Sequence, residues 1–262
     1  MSCKRCGSLN IRFVRFPQKE RFIIECLDCG FWSWAGVKHW YTMRNRRRVL
    51  QRFFGRVIDG ETTVLDVGCG LSIDLVQLGR KAAFSMGIDI DKSDILYSKE
   101  KIQKEKLNEK ACLVIADAHY LPLKDESFDI VTCFDVLEHL KKPWHAVKEL
   151  FRVSKRFIAV ASPTDRSVFH QLYYRLTRFQ RRDATATGGH VQWFYQRLFL
   201  GFLRKFGIVI KVYGIYNIPL PPFAIEHSRF KKSFEHFDRL LGQTPMKVLA
   251  FTTVIILQKY AS

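Results

Sequence analysis

Residues 64–75, "VLDVGCGLSIDL", constrain this chain more than any other stretch. An apolar run of strand length enters Gly68-Cys69-Gly70, and the residues that follow are apolar at helical spacing. That pattern reads as a buried strand, a tight turn and a helix. Glycines in such a turn let the backbone approach a ligand closely. A dinucleotide turn asks for a third small residue, G-x-G-x-x-G/A, so that a helix N-terminus can hold a pyrophosphate. Ile73 occupies that third position here, so the two glycines alone do not identify the ligand.

The same rhythm continues downstream. "TVLDVG", "FSMGIDI", "ACLVIAD", "FDIVTCFD" and "RFIAVAS" read as strands, with helices expected over 73–80, 93–106 and 144–153. Strands alternating with helices imply a parallel sheet covered on both faces, with ligands at the carboxyl ends of the strands. After Pro163 helices are expected over 168–179 and 196–206, with the loop "DATATGG" between them. "GIVIKVYGIY" reads as a strand, "NIPLPPF" as a proline-stiffened loop, and "FTTVIILQKY" as a final strand.

Residues 1–36 are a different kind of unit. Cys3-x-x-Cys6 and Cys26-x-x-Cys29 flank an alternating segment with Pro17-Gln18-Lys19 at its middle. That reads as a hairpin with a cysteine pair at each end. So small a piece holds no core without help, and four thiolates make a closed tetrahedral zinc set. Cys3, Cys6, Cys26 and Cys29 are therefore the candidate ligands of a structural zinc, and the unit resembles a zinc ribbon. Cys69, Cys112 and Cys133 sit in or beside expected strands and read as core filling. Residues 37–60 are basic and aromatic, with Val49, Leu50, Phe53, Phe54 and Val57 at helical spacing. They read as a basic linker helix ending near Gly60, so the large domain is expected over 61–262.

The formal charge is +18. Seven Lys/Arg and no acid lie between Lys38 and Arg56, and eight Lys/Arg face only Asp183 between Arg166 and Lys205. Two such blocks suggest a patch that would attract nucleic acid, an anionic membrane or an acidic partner. No apolar run is long enough to span a bilayer, and "MSCKRCGSLN" carries no signal core. With uneven, odd-numbered cysteines, this gives the expectation of a cytoplasmic protein.

Four elements in order carry a family resemblance: "VLDVGCG", "MGIDID", "ADAHYLPLKDESFDIV" and "CFDVLEHLKKP". Together they resemble the class I S-adenosylmethionine (SAM)-dependent methyltransferases, in the group that includes quinone-biosynthesis methyltransferases. The resemblance implies a Rossmann-like seven-stranded mixed α/β sheet whose last strand is antiparallel. It implies SAM as cofactor. Gly68 and Gly70, with Cys69 between them, would let the methionine end approach, and Asp66 would hold its amino group. Asp89 would accept both ribose hydroxyls, with Ile90 beside it. Asp117 would accept from the adenine amino group, next to the backbone of Ala118. Phe134 and Asp135 would line the methionine side. Asp125 and Asp129 read as turn and strand-edge residues.

A general base is needed only where the acceptor must lose a proton. His139, Glu138 and His190 are the candidates, the last in the glycine-hinged loop after the fifth strand. The acceptor itself is open. A small molecule or lipid precursor is favoured by the resemblance and by the apolar "IPLPPF". The ribbon and basic blocks suggest RNA instead, with Trp32, Trp34, Trp40 and Tyr41 as stacking residues or packing. A SAM-binding interaction protein without transfer is the third class. The chain lacks Asn/Asp-Pro-Pro-Tyr/Phe after the fourth strand, unlike the enzymes that methylate exocyclic amines of bases.

Overall fold

Apolar strand runs and amphipathic helices assemble here into one seven-stranded sheet with helices on both faces, plus a separate three-stranded sheet. The structure, a computed structural model, describes residues 11–16, 21–26, 32–34, 37–163, 191, 194–215 and 252–260, with side chains from residue 46 onward. The expected 168–179 helix, "DATATGG", "NIPLPPF", His190, Cys3, Cys6 and Cys29 lie outside the described residues.

The small sheet is the expected hairpin with one added strand. β1 (Ile11–Phe16) pairs antiparallel with β2 (Arg21–Cys26), and β2 with β3 (Trp32–Trp34). Ile11 sits opposite Cys26, so the chain enters and leaves the hairpin at one end. α1 (Val37–Phe54) follows.

The large sheet contains β4 (Thr63–Val67), β5 (Phe84–Asp89), β6 (Ala111–Ile115), β7 (Phe128–Phe134), β8 (Ser154–Pro163), β9 (Gly207–Ile215) and β10 (Thr252–Lys259). Their order is β6-β5-β4-β7-β8-β10-β9. The pairings from β6 to β8 are parallel, and β10 runs antiparallel to both β8 and β9. Among the described residues, the helices between them are α2 (Ile73–Gly79), α3 (Lys92–Lys104), α4 (Pro143–Val153) and α5 (Gln196–Leu203). Asp91 caps α3 by accepting from the Ser93 and Asp94 amides, and Pro143 opens α4, where its missing N–H costs nothing.

Strand alternation decides what each face receives. Leu65, Val67, Val131 and Cys133 face α4 and α5 in one core with Leu150, Phe151 and Phe199. Val64, Ile130 and Phe134 face the other way, toward Leu50 and Phe54 of α1. Those two α1 side chains are fully buried and contribute about 1.5–3 kcal/mol each. The helix ends at Phe54, not near Gly60 as the spacing suggested. The Phe54 carbonyl accepts from both the Val57 and Ile58 amides, and this turn folds Ile58 into the same core. Cys69 and Cys133 are buried as expected of core residues, and Cys112 is half-buried.

Candidate functional site

The glycine turn follows β4 at the carboxyl edge of the sheet. Gly68 has φ +72° and Gly70 φ +47°, both in the left-handed region that glycine enters at little cost. Gly68 is doubly constrained, because an added Cβ would lie 2.0 Å from Val136 Cγ2. The Gly68 and Cys69 amides both donate to the Ile88 carbonyl at the end of β5, at 2.7 and 3.0 Å. Asp89, the next residue, accepts from the Gly70 amide with Oδ2 at 2.8 Å and from the Asp91 amide with Oδ1 at 2.9 Å. The ends of β4 and β5 are thereby tied, and the Asp89 carboxylate is fixed beside the turn. Each of its oxygens has a second lone pair for a ligand hydroxyl. Ile90 beside it is exposed, and Cys69 is buried with its thiol pKa pushed well up by burial.

The inner face carries acids. Asp66 lies on the α1 side of β4 and accepts from the Thr132 hydroxyl at 2.6 Å. Burial, with the Asp74 charge adding to it, lifts its pKa to about 7. Asp74 stands in the first turn of α2. Asp135 follows β7 with φ +54°, a conformation that a non-glycine residue adopts at a cost. Its amide donates to the Ala161 carbonyl at 3.0 Å, which pins the end of β7 to β8.

Arg46 is the buried cation of this group, and Arg47 Nε lies 3.9 Å from Asp74 Oδ1. Arg46, on α1, donates to Asp74 at 2.5 Å and to Asp135, with its Cζ 4.9 Å from the Phe134 ring centre. Its side chain is 4% exposed, and its Nε is buried without a hydrogen-bond partner. Burial pulls the guanidinium pKa down, but Asp74 and Asp135 more than offset this. Sequence reading missed Arg46 because it sits in a run of three arginines. The signal was available: Arg46, Leu50 and Phe54 fall at i, i+4 and i+8, so the arginine continues the buried stripe of α1.

The remaining candidates separate. Glu138, in the 3-10 turn Leu137–His139, is fully buried and accepts from the Ser162 hydroxyl at 3.1 Å. Its Oε1 has no hydrogen-bond partner, and burial plus the Asp135 charge raises its pKa to about 8. His139, the next residue, is exposed. The Val191 amide donates to the Glu138 carbonyl at 2.9 Å, so the chain returns to this turn one residue beyond His190. Asp117, after β6, uses Oδ1 to accept from the His119 amide and to meet His119 Nδ1, at 2.8 and 2.7 Å. The first of these bonds does most to hold its pKa down. Ala118 is buried beside it. Asp66, Asp89, Phe134 and Asp135 therefore gather with the glycine turn, Asp117 and Ala118 stand at the adjacent strand end, and His139 faces solvent. Asp129 is a strand-edge residue as read: its Oδ2 accepts from the Thr63 amide and hydroxyl at 2.9 and 2.7 Å. Asp125 pairs with Arg152.

Residues 65–157 match the family model described as a methyltransferase domain. Over 85 residues the chain is 34% identical to the ubiquinone biosynthesis O-methyltransferase of Coxiella burnetii, covering 32% of this chain and 36% of that one. The first curated relatives are matched over 34–39% of their own length, about a third. Among solved structures, the [4+2]-cyclase SpnF superposes with a TM-score of 0.58 at 17% identity, over 82% of this chain and 81% of that one. The magnesium protoporphyrin IX methyltransferase of Synechocystis PCC 6803 with bound SAH gives 0.57 at 14% identity, over 85% and 84%. At these identities the likeness shows the fold, a Rossmann-like class I methyltransferase architecture. A cyclase and a methyltransferase share it, so the reaction has to be argued from the site.

Proposed function

We propose that this chain transfers a methyl group from SAM to an acceptor at the carboxyl ends of β4, β5, β6 and β7. The observation that carries the reading is the junction of Asp89 with the Gly68–Gly70 turn. It supports a ligand with a vicinal diol next to a group that needs close backbone approach, and the nucleoside and methionine halves of SAM have those features. The Cβ clash at Gly68 supports a cradle shaped by glycine.

In this reading Asp89 takes the ribose hydroxyls and Asp117, with the Ala118 backbone, the adenine edge. Asp66 takes the amino group; a cation there favours its ionised form against the burial that otherwise keeps it partly protonated. Arg46 takes the methionine carboxylate through the Nε that the protein leaves without a partner. Phe134 and Asp135 line the methionine side. When bound, SAM supplies an electrophilic methyl on a sulfonium, and the chain supplies position and exclusion of water. Glu138 is the buried acid beneath this wall and acts as a positioning group. Its neutral form at pH 7 lets it hold Ser162 and the β7–β8 edge without adding a charge. His139 and His190 are the residues proposed to take a proton where the acceptor carries one.

The acceptor we favour is a small organic molecule, a class supported by the ubiquinone-pathway relative. We also propose that Cys3, Cys6, Cys26 and Cys29 hold a structural zinc. The β1–β2 register supports this, because Ile11 pairs with Cys26 and the chain therefore enters and leaves the hairpin at one end. Calorimetric titration with SAM tests the donor half. The wild type should bind, and Asp89→Ala should lose at least tenfold in affinity while keeping its fold. Equal affinity in the two proteins would remove Asp89 from the site.

A further inference from the structure

The turn after β6 holds its carboxylate by one oxygen. Asp117 Oδ1 takes both His119 bonds, from the amide at 2.8 Å and with ring Nδ1 at 2.7 Å. The Tyr120 amide donates to the Asp117 carbonyl at 3.0 Å and closes the turn. Among the described residues no donor meets Oδ2. The His119 side chain is 18% exposed and that of Asp117 43%, so the ring is the packed half of the pair and the carboxylate the open half. An ionised carboxylate only accepts, so Nδ1 carries the proton of the ring bond. The His119 amide does most to keep Asp117 ionised; burial opposes it, and the ring bond adds to the amide. The turn is also tied to the site. The Ala116 amide donates to the Asp89 carbonyl at 3.1 Å, and Ile90, the residue after Asp89, is 69% exposed. An uncovered apolar side chain and an open acceptor thus lie at neighbouring strand ends, beside the carboxylate that takes a diol.

We infer that His119 sets the base selectivity of the donor site: it is a positioning residue that holds Asp117 with Oδ2 as acceptor for the 6-amino group of adenine and against a 6-oxo purine. The inference rests on the placement of the nucleoside half of SAM proposed above. The last torsion of an aspartate is broad, so nothing within Asp117 itself fixes which oxygen points outward. Two donors on Oδ1 fix it. The same two donors favour the ionised carboxylate, which has no proton to offer. An amino group can donate to such an oxygen, whereas a 6-oxo group brings a second acceptor and meets repulsion. Without the ring, the carboxylate turns more freely and is more easily protonated, and a protonated carboxyl can donate to a 6-oxo group. His119 therefore acts on the base through Asp117 and needs no contact with the ligand. A role confined to closing the turn predicts something else, an equal loss of affinity for both kinds of purine.

The test uses the full chain and calorimetric titration with S-adenosylhomocysteine and S-inosylhomocysteine, which differ at purine C6. The wild type should prefer the adenosyl compound by about tenfold or more, the size of one hydrogen bond to a charged group. In His119→Ala that ratio should fall to roughly two, because adenosyl affinity drops while inosyl affinity holds or rises. His119→Asn places an amide N–H where Nδ1–H stood and should restore most of the ratio. Asp117→Ala should abolish the preference. The ratio is read within each variant, so a general loss of stability, followed by thermal circular dichroism, does not imitate the effect. A wild-type ratio in His119→Ala, with the preference lost in Asp117→Ala, would overturn the inference and leave the donor reading standing. A wild-type ratio in Asp117→Ala would overturn it too, by removing Asp117 from the base. A wild-type chain that binds neither compound would defeat the donor reading, and the inference with it.

Discussion

Replacing Arg46 with Met tests whether α1 completes the site or merely leads to it. Methionine keeps most of the length and apolar stem but removes the charge shared by Asp74 and Asp135. The Asp74 side chain is 8% exposed and cannot recover much hydration, keeping only Arg47 at 3.9 Å, whereas Asp135 is 31% exposed and can. Breaking a buried ion pair from one side costs about 3–5 kcal/mol, and the partial exposure of Asp135 argues for the lower end, about 3 kcal/mol. In a chain of this size that lowers Tm by roughly 6–12 °C, measurable by calorimetry or thermal circular dichroism. Loss of a charge-assisted bond to the ligand carboxylate should also weaken SAM about tenfold or more. Asp74→Asn added to Arg46→Met removes the stranded charge and should restore part of the stability, a coupling on the order of 1–2 kcal/mol. A Tm within about 2 °C of wild type, with no coupling between the two substitutions, would refute the role given to Arg46.

Other outcomes follow from the same geometry. Gly68→Ala places a Cβ against Val136 at a positive φ and should cost about 2 kcal/mol or more in urea denaturation, with SAM binding impaired. Asp66 has a folded pKa of about 7, above the unfolded value of about 3.9, so the folded state holds the extra proton. Stability of the ligand-free protein should therefore fall as pH rises from about 4 to about 7, and Asp66→Asn should flatten that part of the urea-midpoint profile. Glu138 extends the same fall toward about pH 8, and Glu138→Gln should remove that upper portion. Replacing Cys3 and Cys6 with Ser should release about one zinc per chain, read by atomic emission, and lower the stability of the N-terminal unit. Absence of metal from the intact purified protein would sink the zinc proposal.

Fully buried strands were the most legible part of the fold. Continuous apolar runs such as "VLDV" and "FDIVTCF" left no other way to bury themselves, and β4, β5, β7 and β10 begin or end within about two residues of their sequence reading. The end of α1 was not legible. Val57 keeps the helical spacing, yet the chain turns at Gly55 so that Ile58 reaches the core, a tertiary gain that periodicity does not report. Within the site, Asp66, Asp89 and the glycines could be ordered from their motifs. Their linkage through the Gly70 and Ile88 backbone belongs to the packed sheet and not to any local pattern. Glu138 and His139 are neighbours in sequence, and nothing local tells which one turns inward; the 3-10 turn buries the acid and exposes the histidine. Arg46 was hidden by the charge of its block, because a run of arginines reads as a solvated face until the helical stripe is followed through it.

The central claim is methyl transfer from SAM at the glycine turn. The most direct test incubates the purified chain and its Asp89→Ala variant with methyl-labelled SAM and source-organism extract, then separates small-molecule, RNA and protein pools. Label should enter one pool with the wild type, the small-molecule pool if the favoured acceptor class is right, and should drop at least tenfold with the variant. A wild-type chain that binds SAM and labels no pool would contradict the claim.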